Sequence, residues 1–148
     1  MKTSNTEDLY IETNSIEAPE SDYLYIKSSQ IKNAGKGLYT AIDIYKDEII
    51  SLFKGEVIAN KEAAKRAQLN EDKYFINLLD DRILDSMHTD CYAKYANDAE
   101  GLSNSNFKNN AKITLDDDNN VCIKASKKIK SGKEVFCSYG KRYWKKHR

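Results

Sequence analysis

The sequence predicts a mostly β fold with few short helices. Three observations carry that expectation. Short apolar runs recur along the chain and end in Gly, Asn or Asp, the composition of strands and turns. Only the stretch 60–69 has a sustained helix-forming composition, with Ala63, Ala64 and Ala67 set among charged residues. The strands are many and do not alternate with helices, which argues against a parallel βαβ arrangement.

Taken in order, residues 1–22 are polar and acidic, with Glu7, Asp8, Glu12, Glu17, Glu20 and Asp22 and the one proline, Pro19. Too little there is apolar to offset the entropy of ordering, so this segment reads as a disordered or loosely attached N-terminal arm. Residues 23–148 read as a single domain. A strand begins at 23–26, and Gly35-Lys36-Gly37 makes a turn that only small residues follow closely. Strands follow at 37–41, 48–53 and 56–58. Asn60 is an expected cap for the helix, which its charged and small residues place on the surface. Further strands are expected at 74–79 and 82–84, and a short helical piece at 90–96. Residues 112–115 and 121–125 alternate around the Asp116 to Asn120 turn as a hairpin. The last strand is 134–138, and Tyr143 and Trp144 end the apolar pattern.

The chain has 148 residues and a formal net charge of +1, which suits one domain with a modest core. No run is apolar for a membrane-spanning length, and the N-terminus lacks the apolar segment of a signal peptide. No membrane association is expected. Balanced charge disfavours tight sequence-independent nucleic-acid binding, but the C-terminal part concentrates lysine and arginine from Lys124 to Arg148. Nucleic-acid contact by that basic end is a secondary expectation. Cys91, Cys122 and Cys137 are odd in number and lack the close spacing of a zinc knuckle. They read as reduced thiols of an intracellular protein, with no metal site.

Four segments are chemically suggestive only together. They are Gly35-Lys36-Gly37, the strand ending at Gly55-Glu56, Lys94-Tyr95-Ala96-Asn97-Asp98-Ala99, and Ser138-Tyr139-Gly140. In this order they resemble the SET-domain protein-lysine methyltransferases, over roughly residues 23–144. The resemblance implies a fold of small curled β-sheets with a threaded, pseudoknot-like C-terminal segment. It implies a protein-lysine N-methyltransferase that uses S-adenosylmethionine. Its partner would be a protein bearing the target lysine, with a histone tail as one candidate and the nucleus as the matching location. The alternative is a catalytically inactive SET-fold module that binds a peptide or nucleic acid.

Site residues follow from the same resemblance. Gly35, Lys36 and Gly37 would approach the cofactor through backbone, their glycines sparing it a side chain. Lys94, Tyr95, Asn97 and Asp98 would contact its amino-acid and adenine ends, Asn97 because an amide donates and accepts at once. Asp98 stands where the family usually has His. Residues 60–85 resemble the insert of SET enzymes that monomethylate histone H4, and Tyr74 would supply an aromatic wall to cofactor and substrate. Phe75 reads as core. Tyr139 would be the catalytic residue, beside the transferring methyl and also touching the cofactor, with Trp144 another cofactor contact. Phe53, Tyr74, Cys137 and Tyr143 would line the substrate channel. A free lysine titrates near pH ~10.4, so such a channel must favour the neutral amine by desolvation and by the adjacent positive sulfonium. Cys137 takes the place of a family Phe or Tyr, which leaves room beside the target nitrogen. Asp80, Asp81, Asp85, Asp90 and Glu100 could form an acidic groove for a basic tail, although each singly reads as a solvated turn residue.

Overall fold

A computed structural model describes residues 16–100 and 105–138. Helix α1 (Glu20–Tyr23) follows Pro19 and leads into β1 (Leu24–Ser28). Then come β2 (Lys36–Thr40), β3 (Ile49–Leu52), β4 (Glu56–Ile58), α2 (Asn60–Gln68), β5 (Phe75–Asn77) and β6 (Ile83–Asp85). A 3-10 turn at Ala93–Tyr95 precedes β7 (Ala111–Leu115), β8 (Val121–Ala125), β9 (Glu134–Val135) and β10 (Cys137–Ser138).

The strands form three small sheets, in the orders β1-β2-β9, β10-β7-β8-β3 and β4-β6-β5. Every pairing between them is antiparallel except that of β10 with β7, where Cys137 faces Ala111. The mostly β expectation therefore holds. The segment expected as one strand, 134–138, changes sheets at Phe136. β9 pairs with β2, β10 pairs with β7, and Phe136 itself bridges to Asn97. The expected threading involves residues after 138 and lies outside the described residues.

One core joins the first two sheets, with Leu38, Ile44, Ile50, Ile123 and Val135 fully buried. Each such side chain stabilises the fold by about 1.5–3 kcal/mol relative to its exposed state. β8 does not alternate as its sequence predicts, because Val121, Cys122 and Ile123 are all buried. It lies between β7 and β3, so both of its faces are covered. A satellite core of Ile58, Ala63, Phe75 and Ile83 seats α2 on the third sheet, and Phe75 is core as expected.

Three local expectations change. Helix α2 is capped by Ala59, whose carbonyl accepts the Ala63 N–H at 3.0 Å, so Asn60 is its first residue and not its cap. The helical piece 90–96 shortens to the 3-10 turn. Residues 16–22 belong to the packed domain, although sequence assigns them to the arm. Ile16 packs on the core, and the Glu20 carboxylate accepts the Ser51 hydroxyl at 2.6 Å and the Leu52 N–H at 2.9 Å. A carboxylate in place of a neighbouring strand satisfies that edge of β3.

Candidate functional site

The site is organised by Asn97. Its side-chain amide donates to the Lys36 carbonyl at 2.9 Å, and its own carbonyl accepts the Cys137 N–H at 2.8 Å. Residues 36, 97 and 137 are far apart in sequence, yet one asparagine joins the Gly-x-Gly loop to the last strand. The loop itself is shaped by Asn33 and Gly35, both left-handed at φ 67° and 73°, and closed by Ser29 N–H on the Gly35 carbonyl at 2.8 Å. Gly35 is needed for that φ, and nothing lies within 4 Å of where a Cβ would stand.

Gly37 is needed for a different reason from the one expected. A Cβ there would run into the Glu134 carboxylate, with Cδ at 2.9 Å and the Ser29 Cα at 3.2 Å. The steric constraint thus comes from the protein's own buried acid. Glu134 is 1% exposed, and its oxygens accept Ser29 Oγ at 2.7 Å and Gln30 N–H at 2.8 Å. Two directed bonds to this buried carboxylate fix the start of the loop. Beside it, burial and the Glu134 charge push the Tyr39 hydroxyl up to about 12, while that hydroxyl donates to the Ser28 carbonyl at 2.7 Å.

Lys94 gathers the aromatic side. Its ammonium donates to the carbonyls of Ser86 at 3.1 Å, Met87 at 3.3 Å and Thr89 at 3.0 Å. Three carbonyls match its three protons, so the head group fastens the 86–89 turn rather than pointing at open solvent. It also lies 5.3 Å from the Tyr74 ring centre and 5.6 Å from that of Tyr95, which brings these two predicted residues together around one cation.

Asp98, where the resemblance expects a histidine, ties its own loop. Its Oδ1 accepts the Glu100 N–H and the Asn109 Nδ2, both at 2.9 Å, while Asn109 Oδ1 accepts the Ala99 N–H at 2.8 Å. The end of the long polar loop is anchored by Asn110. Its amide donates to the Glu134 carbonyl at 3.0 Å and accepts the Phe136 N–H at 2.8 Å. These two bonds hold the strand crossover at Phe136 in place.

Cys137 is fully buried among core residues, and burial, with Asp98 and Cys122 nearby, pushes its thiol well above the ordinary range. Phe53 is partly buried against the same core. Tyr139, Tyr143 and Trp144 lie outside the described residues. Among the described residues no group of three or more His, Cys, Asp or Glu is placed to hold a metal ion, and no helix is long and apolar enough to cross a membrane.

The suggested acidic groove does not form as one surface. Asp85 is fully buried on Arg66 at 2.8 Å, and Asp80 is paired with Arg82 at 2.6 Å. Arg66 also reaches Glu56 at 2.8 Å and Glu62 at 2.9 Å, locking α2 onto β4 and β6. An open groove of about 700 Å3 runs along Glu20, Ile26, Leu52, Asp90, Cys91 and Tyr92 and reaches Tyr95.

The family model of the SET domain matches residues 35–140, from the Gly-x-Gly loop to Tyr139-Gly140. This chain belongs to the SET-domain family. Solved structures agree with the fold. A humanized mutant of the Chaetomium thermophilum Polycomb Repressive Complex 2 bound to the inhibitor GSK343 is 24% identical with a TM-score of 0.69. The match covers 81% of this chain and 15% of that one. The complex of the same kind with GSK126 is 24% identical with a TM-score of 0.68, over 81% of this chain and 15% of that chain. The structure of ctPRC2 in an autoinhibited conformation bound to S-adenosylmethionine is 26% identical with a TM-score of 0.66, covering 82% of this chain and 15% of that chain. The SET domain described here therefore spans about 15% of the length of the chains it resembles.

Sequence reasoning missed Glu134, Asn110 and Glu20 as positioning residues. The first two flank segments already singled out. A carboxylate opening an otherwise apolar strand, in Glu134-Val135-Phe136, was the available signal for a buried, bonded acid.

Proposed function

We propose that this SET domain is a protein-lysine N-methyltransferase that uses S-adenosylmethionine and acts on a lysine-bearing protein, with a histone tail as the first substrate to examine. The observation that supports it most is the double attachment of Asn97, to the Lys36 carbonyl and to the Cys137 N–H. It gathers the loop, the central motif and the strand leading to Tyr139.

The residues fit such a cofactor. Space is open beside Gly35, and the Asn97 amide is half-buried with one N–H on Lys36. Its Oδ1 has no hydrogen-bond partner among the described residues, which leaves an acceptor for an amino group. When bound, S-adenosylmethionine supplies a methyl group activated by a sulfonium. Tyr74 and Tyr95, held by Lys94, form an aromatic wall that excludes water. Tyr139 orients the amine through its hydroxyl, and much of the rate comes from alignment. By the family resemblance Phe53, Cys137 and Tyr143 would line the channel and Trp144 would be a further cofactor contact.

Titration calorimetry with S-adenosylmethionine tests this reading. Wild type binds at one site, and Asn97→Ala weakens binding about tenfold, a loss of about 1.4 kcal/mol. Absence of binding by the folded wild type would overturn the reading.

A further inference from the structure

A second groove, of about 460 Å3, is floored in part by Asn110, Glu134 and Phe136, beside the crossover that Asn97 bridges, and is rimmed by lysines that the proposed methyl transfer does not use, four of them in the basic C-terminal part of the sequence. Its rim carries Lys108, Lys127, Lys128, Lys130 and Lys133, all exposed. We propose that this lysine-rimmed groove is an interface for a nucleic-acid phosphate backbone, with duplex DNA as its occupant. The inference is independent of the methyltransferase reading.

The charge is local and largely uncompensated. The whole chain carries +1, yet five lysines converge here. Lys128 has Asp43 at 4.0 Å and rests over the Tyr45 ring at 5.1 Å. The other four make no ion pair among the described residues. Glu134 also lines the groove, but its oxygens are turned to Ser29 and Gln30 and it is 1% exposed. A concave surface of one sign focuses its potential outward.

The backbone that presents these lysines is fixed. Ile129 exchanges two hydrogen bonds of 2.8 Å with Ile44, Ser131 N–H donates to Asp43 Oδ1 at 2.8 Å, and Gly132 N–H donates to the Thr40 carbonyl at 2.7 Å. The lysine stems therefore leave a rigid platform, which lowers the ordering cost of binding.

The floor selects among anionic partners. Ile129 and Phe136 are 2% and 4% exposed, and Phe107 packs on Phe136 with ring centres 5.3 Å apart. A protein partner normally anchors a large side chain in an open apolar pocket. Here the apolar floor is closed, and what remains is a row of compact point charges. Lysine ammoniums suit phosphate oxygens and read no base sequence. A continuous polyanion matches that better than an acidic peptide does.

Fluorescence anisotropy of labelled duplex DNA of about 20 base pairs, titrated with the full chain over a range of salt, tests the proposal. Each neutralised phosphate contributes about 0.9 to the slope of log affinity against log salt. The quadruple variant Lys108→Gln, Lys127→Gln, Lys130→Gln, Lys133→Gln should lower that slope by about 3 to 4, and Lys133→Gln alone by about 0.9. All four side chains are exposed, so an unchanged thermal melt verifies that the variant is folded. A matched variant of the C-terminal end (Lys141, Arg142, Lys145 and Lys146 to Gln) should keep most of the slope. The proposal is overturned if the C-terminal variant loses the slope while the groove variant keeps it, or if wild type does not bind DNA. It is also overturned if polyglutamate competes as well as DNA at equal charge, which would assign the groove to an acidic protein segment.

Discussion

Gly37 and Glu134 occupy one space: the position of a Cβ on Gly37 is filled by the carboxylate of Glu134. The acid cannot retreat, because Ser29 and Gln30 hold both of its oxygens. Replacing Gly37 with Ala forces either the loop or the acid out of place. Gly37→Ala should therefore destabilise the domain by about 2 kcal/mol, the cost of overpacking a closed site. Urea unfolding measures it. In a Glu134→Ala background the added cost of Gly37→Ala should shrink, whereas in the near-isosteric Glu134→Gln it should persist.

The same acid shapes the alkaline limit of stability. Tyr39 is raised from 10.0 to about 12 by burial first and Glu134 second, and Tyr23 is raised by burial with Glu20 and Glu48. A raised folded-state value means stability that is complete below the unfolded value near 10 and lost as pH climbs through the folded value. Melting temperature should hold up to about pH 10 and fall steadily toward pH 12, Tyr39 contributing on the order of 2 kcal/mol. Tyr39→Phe should flatten part of that fall, and Glu134→Gln, by bringing the folded value of Tyr39 closer to the unfolded one, should also reduce it without moving its onset.

Arg66 compensates an acid that has no exposure of its own. Asp85 is fully buried, bonded to Arg66 at 2.8 Å and to the Met87 N–H at 3.0 Å. Arg66→Ala leaves that charge unpaired and should lower the melting temperature by about 10 °C. Arg66→Lys should recover little, since a lysine cannot span Glu56, Glu62 and Asp85 together. Adding Asp85→Asn to Arg66→Ala should restore a large part of the loss.

Cys137 belongs to the core, and the proposed reading also sets it beside the substrate channel. Its thiol is fully buried, and it is smaller than the ring that its place in the family usually holds. As a channel residue it leaves room for further methylation, so wild type should add more than one methyl group. Cys137→Tyr should shift product toward monomethyl-lysine, and should also lower stability by about 1–3 kcal/mol through overpacking. Product distributions at matched turnover, read by mass spectrometry alongside a thermal melt, separate the two effects.

Much of this fold was legible because its signals are local. The Asp116 to Asn120 turn is one case: Asp116 Oδ1 accepts the N–H groups of Asp118 and Asn120 at 2.9 and 2.8 Å, as an Asx-type turn should. The helix was legible from its alanines. What escaped was long-range. Nothing near Gly37 announces Glu134, and nothing near Ser51 announces Glu20. The strand 134–138 reads as continuous because its apolar letters are continuous. Its break at Phe136 is imposed by Asn97 and Asn110, which bond the backbone on either side of it. Asn97 stands out in the sequence, but its grip on Lys36 emerges only from the fold.

The central claim is methyl transfer to lysine, and one measurement addresses it most directly. The full chain is incubated with isotopically labelled S-adenosylmethionine and core histones, then with cell lysate, and modified residues are mapped by mass spectrometry. A Tyr139→Phe variant of matched thermal stability runs in parallel. The account predicts labelled methyl groups on lysine with wild type and a loss of about a hundredfold or more with Tyr139→Phe, the scale of losing an aligned catalytic group. No labelled lysine in any protein, from a wild type that binds S-adenosylmethionine, would contradict it.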